Sequence, residues 1–230
     1  MATMSSLENI CLVVPTLNAA RALAANATVG QAARLVISDG GSTDETLLIA
    51  ATLNAVVVEG PAGRGGQLAA GAVAALEGGA QWLLFLHADT TLSPGWADEA
   101  EAFIAAPENR QRAAVFRFGL DADGPRARRL IRRVVWRNRV LALPYGDQGL
   151  LISAEFYQSL GGFQSLVLME DVDIVRRIGR ARLVFLQSRA VTSAARYVQA
   201  GYTLRSLRNL SCLALYFLGL PTRLIARIYG

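Results

Sequence analysis

The chain has 230 residues, 53% of them hydrophobic and 18% charged, a length and balance that suit one folded domain with a sizeable core. All 23 basic residues are arginine, which excludes chemistry that needs a lysine, such as a Schiff base or a P-loop. The formal net charge of +5 points to an anionic partner: a nucleotide, a membrane surface or nucleic acid.

Residues 1–9 are mostly polar and show no secretory leader, so a cytoplasmic location is expected. Cys11 and Cys212 lie in apolar surroundings and read as buried thiols, not as a disulfide framework or a zinc site. Residues 10–120 alternate short apolar runs with alanine-rich stretches. Strands are expected over 10–15, 34–38, 55–59, 82–86 and 113–119, and helices over 18–32, 43–53, 66–78 and 94–106. This alternation predicts an α/β fold whose mostly parallel central sheet is flanked by helices on both faces. Ser42-Thr43-Asp44-Glu45 has the form of a capping box, and Ser93-Pro94 that of a cap followed by a first-turn proline. From Pro125 the pattern changes to a basic helix over 126–141, then a glycine and strand over 147–154. A short helix over 155–161 is closed by Gly161-Gly162. A helix follows from about Glu170, a strand over 182–187, and a helical tail from Gly201 with a break at Pro221.

Chemistry gathers where the apolar runs stop. Leu12-Val13-Val14-Pro15-Thr16-Leu17-Asn18, Leu35-Val36-Ile37-Ser38-Asp39-Gly40-Gly41-Ser42-Thr43-Asp44 and Trp82-Leu83-Leu84-Phe85-Leu86-His87-Ala88-Asp89-Thr90 share one form, a buried strand ending in polar or glycine residues. Ligands of open α/β sheets bind beyond the carboxyl ends of the strands, and a carboxylate there can hold a hard divalent cation against a phosphate. Thr16, Asn18 and Asp39 are short polar side chains suited to grip a base and ribose, while Asn18 and Asp39 equally suit turn capping. Gly60-Pro61-Ala62-Gly63-Arg64-Gly65-Gly66-Gln67 opens a helix and can turn backbone N–H groups toward an anion. Arg64 adds a planar, permanently charged fork suited to diphosphate, although an ordinary connection would also look this way. His87 and Asp89 are alternate residues and project the same way into the cleft.

Pro15-Thr16-Leu17-Asn18, Asp39-Gly40-Gly41-Ser42-Thr43-Asp44, His87-Ala88-Asp89 and Glu170-Asp171, in this order, resemble the motifs of the family 2 glycosyltransferases. Arg64-Gly65-Gly66-Gln67-Leu68, Leu86-His87-Ala88-Asp89-Thr90, Pro144-Tyr145-Gly146-Asp147-Gln148-Gly149 and Leu168-Met169-Glu170-Asp171-Val172 are similar to the bacterial arsenosugar-biosynthesis-like branch. The resemblance implies a GT-A fold that transfers a sugar from a nucleotide-diphosphate donor to an acceptor hydroxyl. It also implies inversion and dependence on Mn2+ or Mg2+. The chain is then a single domain over 1–230, with a nucleotide-sugar-binding half (1–120), an acceptor half (121–200) and a helical tail (201–230).

By the same resemblance, Pro15, Thr16, Asn18, Asp39, Arg64, Gln67 and Ala88 belong to the donor side. Asp39 would contact the nucleoside, with Gly40 standing where the family usually has a second acid. Asp89 would hold the metal. His87 replaces the first acid of the family's Asp-x-Asp motif, leaving it to ligate the metal, bond the ribose or phosphate, or buttress Asp89. Glu170-Asp171 would suit any helix start, but the resemblance makes Asp171 the general base and sets Glu170 on the acceptor side. Asp147 and Gln148 would orient the acceptor or donor sugar, and Asp173 would face elsewhere on its helix.

Arg126, Arg128, Arg129, Arg132, Arg133, Arg137 and Arg139 interleave with Leu130, Ile131, Val134, Val135 and Leu141 at helical spacing. This is either a surface helix snorkelling over the core or an attractor of anionic lipid or a phosphorylated acceptor. Nucleic acid is not expected, since no nucleic-acid-binding motif accompanies the helix. Leu210 to Leu220 is too short to span a bilayer, so the tail is a packing helix or an interfacial anchor on the inner membrane face, the second being preferred. The expected partners are thus a nucleotide-sugar donor, a small-molecule or lipid-linked acceptor, and the membrane surface. Two rival readings are a sugar-phosphate nucleotidylyltransferase and a non-catalytic basic protein that binds lipid or nucleic acid. The first would need a glycine-rich, lysine-bearing signature where Pro15-Thr16-Leu17-Asn18 stands.

Overall fold

Alternating side-chain direction along the strands sorts the core into two layers, one on each face of the sheet. The computed structural model describes residues 6–60 and 63–229; Met1–Ser5, Pro61, Ala62 and Gly230 lie outside the described residues. The strands are β1 (Ile10–Thr16), β2 (Leu35–Asp39), β3 (Val56–Glu59), β4 (Trp82–Phe85), β5 (Thr90–Leu92), β6 (Ala113–Leu120), β7 (Leu150–Ser153) and β8 (Leu183–Thr192). They form one sheet in the order β3-β2-β1-β4-β7-β6-β8-β5. The helices are α1 (Ala20–Ala24), α2 (Ala27–Gly30), α3 (Thr46–Thr52), α4 (Arg64–Glu77), α5 (Trp96–Ala105) and α6 (Pro125–Leu141). They continue with α7 (Ala154–Ser159), α8 (Glu170–Ile178), α9 (Ala195–Ala200), α10 (Tyr202–Phe217) and α11 (Thr222–Tyr229).

The pairs β1–β2, β1–β4, β2–β3 and β6–β8 are parallel, whereas β4–β7, β6–β7 and β5–β8 are antiparallel. The parallel half carries the carboxyl ends of β1, β2 and β4 on one edge, where a ligand of an open α/β sheet belongs. Cys11, Val13, Leu83 and Phe85 point into one layer, against Leu68 of α4, Ile174 of α8, and Cys212 and Ile225 of the tail. Leu12, Val14, Leu84 and Leu86 point into the other, against Leu23 of α1 and Phe103 of α5. Both cysteines are buried free thiols, as expected, and burial pushes the Cys11 thiol up to about 11. The tail therefore completes the core on one face: its residues Cys212 and Ile225 are fully buried.

Several local expectations are corrected. The expected helix over 18–32 is broken into α1 and α2, because Asn26 turns the chain and caps α2 through its side-chain oxygen, which accepts from the Thr28 and Val29 N–H groups. Ser42 does not cap α3, whose first flanking residue is Glu45 and makes no side-chain cap. Its hydroxyl instead donates to Asp39 (2.6 Å) and accepts the Asn18 N–H (2.8 Å). The cap position of α5 is Gly95, in the left-handed region at φ +84°, and Ser93 accepts the Arg189 N–H in place of capping. Strand β5 was not anticipated, and β8 continues to Thr192 in order to pair with it.

Gly71 of α4 packs where a Cβ would lie 2.5 Å from Val13 Cγ1, and Val13 is fully buried in β1. Gly71→Ala is expected to destabilise the protein by about 1–3 kcal/mol through overpacking. Urea denaturation should show a lower midpoint, and an unchanged midpoint would refute this account of the α4–β1 contact.

Candidate active site

At the ends of β1 and β2 the chain ties a polar knot. Asp39 is buried and accepts from Thr16 Oγ1 (2.8 Å), Ser42 Oγ (2.6 Å) and the Gly41 and Ser42 N–H groups (2.9 and 2.7 Å). Burial alone would raise the Asp39 pKa, but the bonds from Ser42, Thr16 and Gly41 outweigh it and hold the carboxyl below its usual range. Asn18, in the left-handed region at φ +49°, accepts the Thr43 N–H (2.8 Å) and latches the two loops together. Gln67 of α4 is buried and donates from Nε2 to the carbonyls of Thr16 (2.6 Å) and Ser38 (3.0 Å). Its amide clamps the strand ends to the helix. Pro15 is half-buried, one residue inside the end of β1.

Beyond β4 the alternation continues. His87 and Asp89 line a cavity of about 110 Å3, while Ala88 is buried in the opposite core layer and its carbonyl accepts from Asn26 Nδ2 (3.0 Å). The Ala88 side chain therefore faces the core and not this cavity. Asn26 Nδ2 also donates to the Thr90 carbonyl (2.8 Å), and the Ser193 N–H donates to the Asp89 carbonyl (3.1 Å). These bonds fix the backbone on both sides of Asp89.

The same cavity is lined by Arg64, Tyr145, Asp147, Glu170, Asp171, Tyr197, Arg205, Asn209 and Tyr229, among others. Arg64 opens α4 and Glu170 opens α8, and Arg64 Nη1 stands 3.6 Å from Glu170 Oε1. Asp171 Oδ2 accepts the Gly146 N–H (2.8 Å). Gln148 does not join them. It is fully buried, donates to the Phe116 carbonyl (2.9 Å) and accepts from Asn138 Nδ2 (2.9 Å), so it supports the loop from within. Asp173 turns outward, as its helical position implies, and pairs with Arg177 (Nε to Oδ2, 3.0 Å).

Four carboxylates thus share one cavity with two arginines. Glu170 is 1% exposed, and its Oε2, like Asp147 Oδ1, is buried without a hydrogen-bond partner. Burial and the neighbouring Asp171 push Glu170 up to about 7, against the opposing pull of Arg64. Burial likewise pushes Asp147 up to about 6, with Arg137 opposing and Asp171 and Asp89 reinforcing. Orphaned carboxylate oxygens facing a polar cavity fit a divalent cation that is completed by substrate oxygens. Among the described residues, no group of three His, Cys, Asp or Glu forms a ready-made metal cage. Hard-cation sites in phosphate-transfer enzymes commonly have that open character, with one or two carboxylates and the remainder from phosphate and water.

The cavity was incompletely foreseen. Tyr145 lies within a quoted motif but was not singled out; Tyr197 comes from α9, which was not anticipated, and Arg205, Asn209 and Tyr229 come from α10 and α11, expected to be packing or anchoring helices. Polar residues at i, i+4 within the apolar tail (Arg205 and Asn209) were the available signal.

The carboxyl ends of the parallel strands thus lead to an acidic cavity. Residues 11–153, more than half of the chain, match the family model described as glycosyl transferase family 2. The chain belongs to that family. Among curated proteins, no sequence matches significantly. Solved structures share the GT-A fold at low identity. S. aureus TarS 1–349 is 14% identical with a TM-score of 0.61, the match covering 96% of this chain and 69% of that one. Glucosyl-3-phosphoglycerate synthase from Mycobacterium tuberculosis, with Mn2+, UDP-glucose and phosphoglyceric acid, is 18% identical (TM-score 0.58, covering 96% and 86%). The mannosyltransferase PcManGT from Pyrobaculum calidifontis, with GDP-mannose and Mn2+, is 18% identical (TM-score 0.58, covering 89% and 61%).

The raised pKa of Glu170 means that the folded state holds its proton more tightly than the unfolded chain does. Its contribution to stability is then lost as pH rises from the unfolded value of 4.5 through the folded value of about 7. In metal-free protein, Glu170→Gln should raise Tm relative to the parent by a margin that grows between pH 5 and pH 8. A constant difference across that range would overturn the assignment of Glu170 as a strained acid.

Proposed function

We propose that the protein transfers a sugar from a nucleotide-diphosphate donor to an acceptor hydroxyl, with inversion and with the help of Mn2+ or Mg2+. The observation that carries this reading is that Asp89 and Asp171, remote in sequence, line one cavity together with Arg64. Family membership supports the transfer, and the nucleotide sugars with Mn2+ in the two similar complexes support the donor and the cation.

Asp171 is the general base in this reading. Its carboxylate is oriented by the Gly146 N–H at Oδ2 and the Val172 N–H (2.7 Å) at Oδ1. It takes the proton of the acceptor hydroxyl, whose oxygen forms a bond to the anomeric carbon as the bond to the diphosphate oxygen breaks on the opposite face. Arg64 bears on the charge that grows on the departing diphosphate. A bound divalent cation would supply Lewis-acid stabilisation of the same charge, with Asp89 as its ligand and His87 beside it. Thr16, Asn18 and Asp39 shape the nucleoside end, with Gln67 holding their strands in place. Glu170 and Asp147 belong to the acceptor side.

The same reading includes attachment to an anionic membrane face. No helix among the described residues is long and apolar enough to cross a membrane. Residues 174–230 contain ten arginines and no acidic residue. α10 turns Leu204 (68% exposed), Leu210 (60%) and, just past its end, Leu218 (76%) outward. On α6, Trp136 is exposed and lines a shallow basic groove with Arg129, Arg132 and Arg133. Exposed leucines in an arginine-rich, acid-free segment, and an exposed tryptophan in a basic groove on α6, each suit the headgroup region of an anionic bilayer.

Asp171→Asn should lower kcat by about 100-fold or more while leaving nucleotide affinity nearly intact. Asp89→Ala should abolish the Mn2+-dependent part of nucleotide binding, read by calorimetry with and without the cation. Full transfer by the Asp171 variant would rule out its role as base. On phosphatidylglycerol vesicles, the protein should sediment at low salt and be released at high salt, with Trp136→Ala weakening the association. Equal behaviour on phosphatidylcholine would remove the electrostatic basis of the attachment.

A further inference from the structure

One wall of the cavity is not used by the transfer step described above. α10 packs against α11 and α6 and sends Arg205 and Asn209, one helical turn apart, into the space that holds Asp171. Arg205 is held by aromatic groups. Its Nη2 donates to Tyr229 Oη (3.3 Å), and its guanidinium lies 5.1 Å from the centre of the Tyr197 ring. The Arg205 Nε–H is nevertheless buried without an acceptor, and Asn209 Oδ1 is buried without a donor. A native protein rarely leaves such atoms unmet unless water, an ion or a ligand meets them, and these two face a cavity open to a ligand. The unmet pair is a charged donor beside a neutral acceptor, which asks for an anionic oxygen and a hydroxyl on one molecule.

The outward face of α10 sharpens the point. Leu204, Leu207 and Leu210 are exposed while Arg205 and Asn209 face inward, the reverse of an ordinary surface helix. The inward polar face is therefore not solvated surface but a lining. Arg64, on α4 beside β1 and β2, serves the donor end, and α10 reaches the cavity from the part of the chain that follows β8.

We propose that Arg205 and Asn209 form the acceptor subsite and that the acceptor is a hydroxylated molecule bearing a phosphate group. This rests on the reading of the cavity as the site of sugar transfer. The guanidinium binds the phosphate, Asn209 Oδ1 accepts from a hydroxyl, and a second hydroxyl is left to face Asp171. Such chemistry has two sources, a soluble polyol phosphate or the headgroup of a glycerophospholipid.

The test uses the full chain saturated with Mn2+ and a nucleoside diphosphate, so that Arg64 is occupied. Calorimetric titration with glycerol phosphate should show binding, and titration with glycerol should not. Arg205→Gln should weaken glycerol phosphate binding roughly tenfold or more, with Arg205→Lys restoring part and Asn209→Ala weakening it less. Arg110→Gln, at an exposed position ahead of β6, should leave this titration unchanged, and nucleoside diphosphate affinity should be the same in every variant. In a second arm, vesicles of phosphatidylglycerol replace the soluble ester. Arg205-dependent binding confined to that arm assigns a lipid acceptor, and binding in the first arm assigns a soluble one. Absence of Arg205-dependent binding in both arms, or a loss of nucleotide affinity in Arg205→Gln, overturns the subsite. Failure of the parent protein to bind any nucleoside diphosphate with Mn2+ would instead sink the transfer reading on which the proposal stands.

Discussion

Repulsion among carboxylates is the constraint around which this molecule is organised. Asp89, Asp147, Glu170 and Asp171 face one cavity, and burial strips Glu170 and Asp147 of the water that would screen them. Left to themselves, such groups would separate or the cavity would fill with solvent. They stay because three separate parts of the fold set them. Asp89 is fixed where β5 pairs with β8, Glu170 and Asp171 begin α8, and Asp147 lies in the short turn before β7. Arg64 supplies a partial counter-charge from a third direction, and its own charge is reinforced by Glu170, Asp171 and Asp89 despite burial, which opposes it. What remains is a pre-organised deficit of positive charge, a form of electrostatic strain that a bound cation relieves and that the polypeptide alone does not.

The strands, and Asp39 and Asp89 at their ends, were legible in the sequence from apolar runs and where they stop, whereas Asp147, Glu170 and Asp171 were singled out through the family resemblance. Every expected strand has a counterpart, and Arg64, His87, Asp89, Asp147, Glu170 and Asp171 converge on one cavity. What could not be read was whether a polar side chain points into a site or into the scaffold. Gln67 and Gln148 sit inside recognisable motifs, yet both amides are spent on main-chain or side-chain partners within the protein. A glutamine has both donors and an acceptor, so the same residue serves either purpose, and only three-dimensional neighbours decide. Asn26 shows the converse. It lies in a stretch with helical composition, but its side chain both caps α2 and holds the carbonyls flanking Asp89, a role that depends on residues more than sixty positions away. Strand β5 was missed for the same reason: three residues carry no period, and their pairing with β8 is a tertiary fact.

The tail illustrates how an amphipathic pattern can be read backwards. Its apolar residues divide between the core, through Cys212, Leu213 and Ile225, and the outside, through Leu204, Leu207 and Leu210. Its polar residues Arg205 and Asn209 go to the cavity instead of to water. The same helical pair thus packs into the core, leaves apolar side chains exposed and forms a wall of the cavity.

Gly146 joins the two chemical ends of the cavity. A Cβ there would stand 2.8 Å from His87 Nε2 and 3.6 Å from Asp171 Oδ2, so the residue has room only for hydrogen. This close approach lets the Gly146 N–H donate to Asp171 while its Cα rests against His87, beside Asp89. A larger residue would force either the imidazole or the loop to shift, and the loop carries the N–H that orients the proposed base. The proposed base and the side chains proposed to face the cation are therefore not independent elements that happen to share a cavity. They are positioned against one backbone atom group, so that a shift at either end is transmitted to the other over the width of a single residue.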